Sequence, residues 1–305
     1  MIELLYTIGD NKYIKIAAEH CKKAAEISRF YNILPVFLLF WPCVWGLCLG
    51  YNEYISKIAM LKAVVIFFIG AVAGRSFGCI VNDIIDKDID IGVERTKNRA
   101  IASGRVSVKY AVIVAIFWLL IGLFCLSFLN SMAYLFVIAG VCLAIIYPFT
   151  KRFLKSPQII LGAAFNIGIF VGYSAIYKTI SNSCVALYLA GIYWTLFYDT
   201  IYATADLEDD LRLGINSTAT RYVDDIPNFV FKCAIMTVGL LVTSGILANM
   251  PWQYYIFTPI IFLEFAKITL HFKRETRSIS YCFNRNSLIG GLIALQIFIG
   301  KCFYG

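Results

Sequence analysis

Charge is what this sequence has least of. Lysine and arginine number 27 and aspartate and glutamate 19, together 15% of 305 residues, against about 25% in a typical soluble domain. Hydrophobic residues make up 60% and aromatics 16%. That balance excludes a disordered chain, a coiled coil and an ordinary soluble enzyme. It also argues against a nucleic-acid partner, despite a formal charge of +8. Histidine is scarce too. His20 and His271 lie far apart, with no cysteine or second histidine at ligand spacing, which excludes a zinc site. The 10 cysteines contain no C-x-x-C pair and mostly fall in apolar runs, as small filler in a reduced protein does. Residues 1–32 mix bases with Glu3, Asp10, Glu19 and Glu26 and hold no apolar core before a cleavage site, so no signal peptide is expected. Within that arm, 13–29 reads as a short surface helix, weakly amphipathic at best.

Long apolar runs are what the chain has instead. A hydrocarbon core of about 30 Å needs about 20 apolar residues per helix. Nine runs approach this: 33–50, 58–82, 108–128, 131–150, 157–177, 183–203, 229–248, 251–271 and 287–304. Backbone groups must be satisfied inside lipid, so the runs are expected to be helices. Pro148, Pro157 and Pro251 fall near run ends. With the N-terminus in the cytoplasm, the arm and the loops after every second run collect 21 of the 27 bases, Lys57, Lys62, Lys178 and Lys301 fall opposite, and Arg75 and Lys267 lie within runs. That asymmetry predicts an N-in, C-out integral membrane protein whose positive charge faces cytoplasm and headgroups. The division expected is a cytoplasmic arm, 1–32, and one membrane domain, 33–305.

The acids are concentrated. Asp83, Asp86, Asp88, Asp90 and Glu94 follow the second run; Asp199, Asp206, Glu208, Asp209 and Asp210 surround the end of the sixth. On a helix, Asp83, Asp86 and Asp90 share a face, and so do Asp199, Asp206 and Asp210. Like charges so close at a membrane mouth repel unless a cation lies between them. Carboxylates alone suit a hard ion, Mg²⁺, which pairs one or two carboxylates with substrate phosphates. Two facing clusters would hold two or three such ions around a diphosphate. Asp88 and Asp209 point off these faces and read as solvated loop charges. Gly70, Gly74 and Gly78 form a row that predicts close approach of a neighbouring helix. Arg75 is a charge within a run, expected to face a cavity. Of the bases beyond the acids, Lys97, Arg99 and Arg105 read as positive-inside anchors, whereas Arg95, Lys151 and Arg152 are candidates for holding a leaving diphosphate.

The stretch Asn82-Asp83-Ile-Ile-Asp86-Lys-Asp-Ile-Asp90, continuing to Arg95-Thr96 and Arg99, resembles the first aspartate motif of UbiA-type intramembrane prenyltransferases. Tyr198-Asp199-Thr200, Tyr202 and Asp206 to Asp210, then Gly214 and Ser217-Thr218-Ala219, resemble the second. Tyr147-Pro148 with Lys151-Arg152, Pro157-Gln158 and Leu161-Gly162 is most similar to the 4-hydroxybenzoate polyprenyltransferase branch. Ala100 stands where that family usually has Pro, Asn216 where it has Lys, and Tyr31 and Ile33 where an Asp and a Pro follow Arg29.

The resemblance implies an all-α fold of nine transmembrane helices around a central cavity. It implies Mg²⁺-dependent transfer of a polyprenyl group from its diphosphate to the carbon ortho to the hydroxyl of 4-hydroxybenzoate, in ubiquinone biosynthesis, at the cytoplasmic side of a bacterial inner membrane. Carried onto this chain, Asp83, Asp86, Asp90, Asp206 and Asp210 would hold the metal. Asn82, Arg95, Lys151 and Tyr202 would hold the diphosphate. Asp199 would polarise the phenol, and Arg75 or Arg152 would pair with the acceptor carboxylate. Rival expectations are a family relative with another acceptor (haem, a naphthoate, chlorophyllide) and, from a different class, an acid-lined cation channel.

Overall fold

The computed structural model describes residues 12–275 and 277–303. Every regular element among them is helical. The main helices are α1 (Lys12–Ile27), α2 (Phe37–Gly50), α3 (Lys57–Ile85), α4 (Val108–Leu126), α5 (Ser131–Thr150), α6 (Gln158–Asn166), α7 (Gly168–Ser174), α8 (Asn182–Ala203), α9 (Leu207–Leu213), α10 (Ile226–Leu247), α11 (Thr258–Lys273), α12 (Ile279–Asn284) and α13 (Asn286–Cys302). Several starts are set by a side-chain oxygen taking an otherwise unpaired backbone N–H: Ser56, Ser107, Asn130 and Ser181 cap α3, α4, α5 and α8.

Among the described residues, each of the nine apolar runs is mostly helical. Seven of the resulting segments are long and apolar enough to cross a membrane, by length and composition. The other two, Leu34–Gly50 and Gln158–Ser174, are shorter. The second of these is interrupted at Ile167. There the buried Asn166 Nδ2 donates to the Gly162 carbonyl at 2.8 Å and to Thr195 Oγ1 at 2.9 Å. The outer faces of α4 and α5 carry exposed Ile113, Phe117, Leu120, Phe124 and Leu135. A continuous apolar exterior of this kind matches lipid rather than water.

α8 is the buried axis. Trp194, Phe197, Tyr198 and Ile201 are fully enclosed in one hydrophobic core that joins residues from Val36 to Ile297. α10 and α6 pack against it, while α2 packs on α7 and α13. The described residues that line the central cavity come from α2 through α9, from α12 and from the connecting loops. α10, α11 and α13 contribute none, and they pack behind the wall, although the last apolar segment, Ile279–Cys302, reaches the cavity through α12.

The glycine row is a correction. A Cβ on Gly78 would meet nothing within 4 Å, and on Gly70 and Gly74 only ordinary contacts. All three line the cavity, keeping α3 thin there rather than admitting a neighbouring helix. The close approach is made elsewhere, between α2 and α7. A Cβ on Gly46 would lie 1.9 Å from the Ile169 carbonyl oxygen, and one on Gly172 2.0 Å from that of Cys43. α1 also differs from expectation. Lys15, Glu19, Lys22 and Glu26 occupy one side and Ile16, Ala17, His20, Ala24 and Ile27 the other, a well-separated amphipathic helix. Its last turn is seated by Ile27 in a small core with Ile80 and Ile101.

Overpacking a backbone-to-backbone contact costs roughly 1–3 kcal/mol or more. Gly172→Ala is therefore expected to lower the melting temperature in detergent, whereas Gly78→Ala leaves it within error. Equal melting curves for the two variants would contradict the α2–α7 packing described here.

Candidate active site

α3 ends at Ile85, because Asp86 leaves the helical backbone region before a single turn, Lys87–Asp90. The first acid motif is thus not one continuous helix face. Its three carboxylates are nonetheless all buried: Asp83 5%, Asp86 2% and Asp90 5% exposed. The second motif is broken in the same way. Asp199 lies in α8, Asp206 closes the turn Thr204–Asp206, and Asp210 lies in α9, which Gly214 terminates at φ +68°. Bending brings Asp86, Asp90, Asp199, Asp206 and Asp210 to the wall of one cavity of about 720 Å³. Asn82, Arg75, Arg95, Lys151 and Tyr202 share that wall.

A buried carboxylate is costly unless a countercharge meets it. Four of the acids, Asp83, Asp86, Asp90 and Asp206, are met by bases. Lys151 Nζ lies 2.7 Å from Asp86 Oδ2. Arg29 Nη2 reaches Asp83 Oδ1 at 2.5 Å, and Arg99 Nη1 bridges Asp83 (3.2 Å) and Asp90 (2.8 Å). Arg95 forms a two-pronged pair with Asp206, its Nε at 2.6 Å, and donates from Nη1 to the Tyr202 hydroxyl at 2.7 Å. Burial still pushes the Asp90 carboxyl above its ordinary range, with Arg99 only partly offsetting it.

Among the described residues, no three His, Cys, Asp or Glu groups are gathered tightly enough to enclose a metal as they stand. The donor chemistry nevertheless fits a hard divalent cation. Five carboxylates share one wall with no histidine among the lining residues, and Asp86 Oδ1 is buried with no hydrogen-bond partner.

Most sequence-derived candidates therefore come together, with two exceptions. Asp83 is sealed behind Arg29 and Arg99 and does not line the cavity. Arg152 is corrected more fully: it is exposed, its Nη2 is 3.5 Å from the Ile85 carbonyl, and it is absent from the wall. Arg75 does face the cavity, with Nη1 3.5 Å from the Arg29 carbonyl.

Sequence reasoning missed several groups. Arg99 read as a membrane anchor, yet it pairs two buried aspartates. Arg29, noted only as a motif remnant, pairs with Asp83, one of the same two aspartates. Its backbone sits at φ +56°, a strained conformation for a non-glycine. The signal available was their number: a cluster of buried acids needs as many bases. Asn216, a departure from the family pattern, donates from Nδ2 (3.2 Å) and its backbone N (3.0 Å) to the Lys151 carbonyl, seating that lysine. Asp209 behaves as a structural charge. Its Oδ2 accepts from the Glu94 backbone N–H at 2.8 Å, tying the two motif loops together.

These features define a helical membrane protein with an acid- and base-lined mouth on an apolar cavity. The chain belongs to the UbiA prenyltransferase family, whose model matches residues 39–288. It is 37% identical over 276 residues to the 4-hydroxybenzoate octaprenyltransferase of Francisella tularensis subsp. novicida, covering 90% of this chain and 95% of that one. Identity to the enzyme of the same description from Neisseria meningitidis is also 37%, covering 90% and 91%. Among solved structures, the apo UbiA homologue from Aeropyrum pernix K1 superposes with a TM-score of 0.72 at 22% identity, covering 87% of this chain and 96% of that one. The Archaeoglobus fulgidus homologue bound to GPP and Mg²⁺ gives 0.71 at 17% identity, covering 92% and 99%. The family displaces the cation-channel expectation.

Removing one partner of a buried pair costs roughly 3–5 kcal/mol, whereas exposed pairs are worth about 0–1 kcal/mol. Arg99→Ala should therefore destabilise strongly and Lys97→Ala, which breaks the exposed pair with Glu94, hardly at all. Thermal denaturation of both variants checks this, and adding Asp90→Asn to Arg99→Ala should recover part of the loss.

Proposed function

We propose that this protein transfers a polyprenyl group from polyprenyl diphosphate to the ring carbon ortho to the hydroxyl of 4-hydroxybenzoate, releasing diphosphate, in ubiquinone biosynthesis. The observation that carries the reading is the pairing of Asp86–Lys151 with Asp206–Arg95 at one end of an apolar cavity. An anionic headgroup fits among those bases, and a lipid tail fits below. The relatives' shared description supports 4-hydroxybenzoate over haem, naphthoate or chlorophyllide as acceptor.

Asp86, Asp90, Asp206 and Asp210, backed by Asp83, would hold Mg²⁺, as the hard carboxylate set and the unpartnered Asp86 oxygen favour. When bound, the metal supplies charge neutralisation for the departing diphosphate. Lys151, Arg95, Asn82 and Tyr202 bind the diphosphate oxygens and stabilise charge as the allylic C–O bond breaks. The bonding pair leaves with the diphosphate. The phenol-activated ring carbon then forms the new C–C bond, and the hydrogen it carried leaves as a proton. Asp199 polarises the phenol. Arg75 pairs with the acceptor carboxylate, the role that Arg152 is too remote to share. Leu38, Phe67, Leu161 and Phe165 keep water from the allylic carbon.

In this reading all nine apolar helices span the bilayer with the N-terminus inside. Residues 33–305 form one prenyltransferase domain behind the 1–32 arm, whose first 11 residues lie outside those described. The active site opens to the cytoplasmic face of a bacterial inner membrane. The partners are polyprenyl diphosphate, 4-hydroxybenzoate and the lipid bilayer, with no nucleic acid.

Purified protein given 4-hydroxybenzoate, a polyprenyl diphosphate and Mg²⁺ should yield the prenylated acid by mass spectrometry. Product from haem or a naphthoate but not from 4-hydroxybenzoate would overturn the acceptor assignment. Asp86→Ala and Asp206→Ala should each lower the rate by about a hundredfold or more, and EDTA should abolish it. Near-native rates in either variant, or activity in EDTA, would refute the metal–diphosphate site.

A further inference from the structure

Glu264 is an acid within an apolar helix that the proposed chemistry does not use. It lies in α11, outside the cavity wall, and is only 8% exposed. Its Oε1 accepts from Lys267 Nζ at 2.9 Å on the same helix. Its Oε2 accepts from Arg285 Nε at 3.1 Å. Arg285 is the single residue between α12 and α13. The carboxylate is enclosed but its partners reach solvent, the Lys267 and Arg285 side chains being 62% and 40% exposed, and pairs open to water on one side add little to stability by themselves. What such a pair can do is hold one element in one register. Here the element is α12, whose six residues are too few to be a stable helix without tertiary anchors.

α12 matters because of what it touches. Phe283 stands 4.6 Å, ring to ring, from Tyr202 and 5.6 Å from Tyr198. Tyr202 also meets Arg95, whose guanidinium lies 4.8 Å from the ring centre and donates to its hydroxyl. Tyr202 thus touches both Phe283 and Arg95, and Arg95 in turn holds Asp206. A continuous line of contacts runs from Glu264 through Arg285, α12 and Tyr202 to the second acid motif.

We propose that Glu264 is a positioning residue for the diphosphate end of the site. By fixing Arg285 it seats α12, so that Phe283 backs Tyr202 and Tyr202 aims Arg95. This rests on the reading of Arg95 and Tyr202 as diphosphate-binding groups.

The test measures affinity of the full-length protein in nanodiscs for inorganic diphosphate with Mg²⁺, together with KM and kcat for prenyl transfer. Glu264→Gln should weaken diphosphate binding and raise KM for the prenyl donor about tenfold, the equivalent of one charge-assisted hydrogen bond, with kcat little changed. The charge-swapped pair Glu264→Arg with Arg285→Glu should restore most of the loss. Phe283→Ala should reproduce the KM defect with Glu264 intact, which keeps the test valid if Glu264→Gln does not fold. Unchanged affinity in Glu264→Gln or in Phe283→Ala would overturn the proposal, as would a swapped pair that folds without regaining affinity. Arg95→Ala separates the two levels. If it binds diphosphate as the native protein does, the site reading itself has failed. If it binds weakly while folded Glu264→Gln binds normally, only the positioning role has.

Discussion

The constraint on which this structure depends is that carboxylates crowded at the rim of an apolar cavity draw positive charges to them. Asp83, Asp86, Asp90 and Asp206 are met by Arg29, Lys151, Arg99 and Arg95. These bases come from different parts of the chain: the turn after α1, the loop before α4, and the end of α5. Pairing the acids therefore draws the arm, two loops and three helix ends into one mouth. Two of these bases, Lys151 and Arg95, are also the ones a diphosphate would recruit, so stability and binding draw in part on the same charges.

Below the mouth the demands reverse. The cavity wall is apolar because it must enclose a lipid tail and exclude water, and the outer faces of α4 and α5 are apolar because they meet lipid. A helix greasy on both sides has no amphipathic stripe to direct its packing. Orientation comes instead from shape. Gly46 and Gly172 let α2 and α7 touch backbone to backbone, and Asn166 bridges the break between α6 and α7 to α8. The glycines of α3 widen the cavity where the expected helix contact would have closed it.

A second acid–base junction lies away from the mouth, where Glu264 meets Arg285. It joins the buttressing layer of α11 and α13 to the cavity through α12, a segment too short to hold its own position. In both places a buried charge locates a short or broken element that hydrophobic packing alone would leave free to slide.

Length and apolarity of the helices were legible in the sequence because lipid imposes them locally, residue by residue. So were the two aspartate motifs and their partners Arg95 and Lys151, because like charges crowded at helix ends demand explanation wherever the chain folds. What the tertiary structure alone decided is which base meets which acid and which surfaces face inward. Arg29 lies 54 positions from Asp83. Arg152 sits next to Lys151 yet turns away from the cavity, and Phe283 reaches Tyr202 from the far end of the chain. Neither composition nor spacing encodes such pairings. They follow from where helix breaks at Asp86, Ile167 and Ala203 redirect the backbone, and only the packed core around α8 sets those directions.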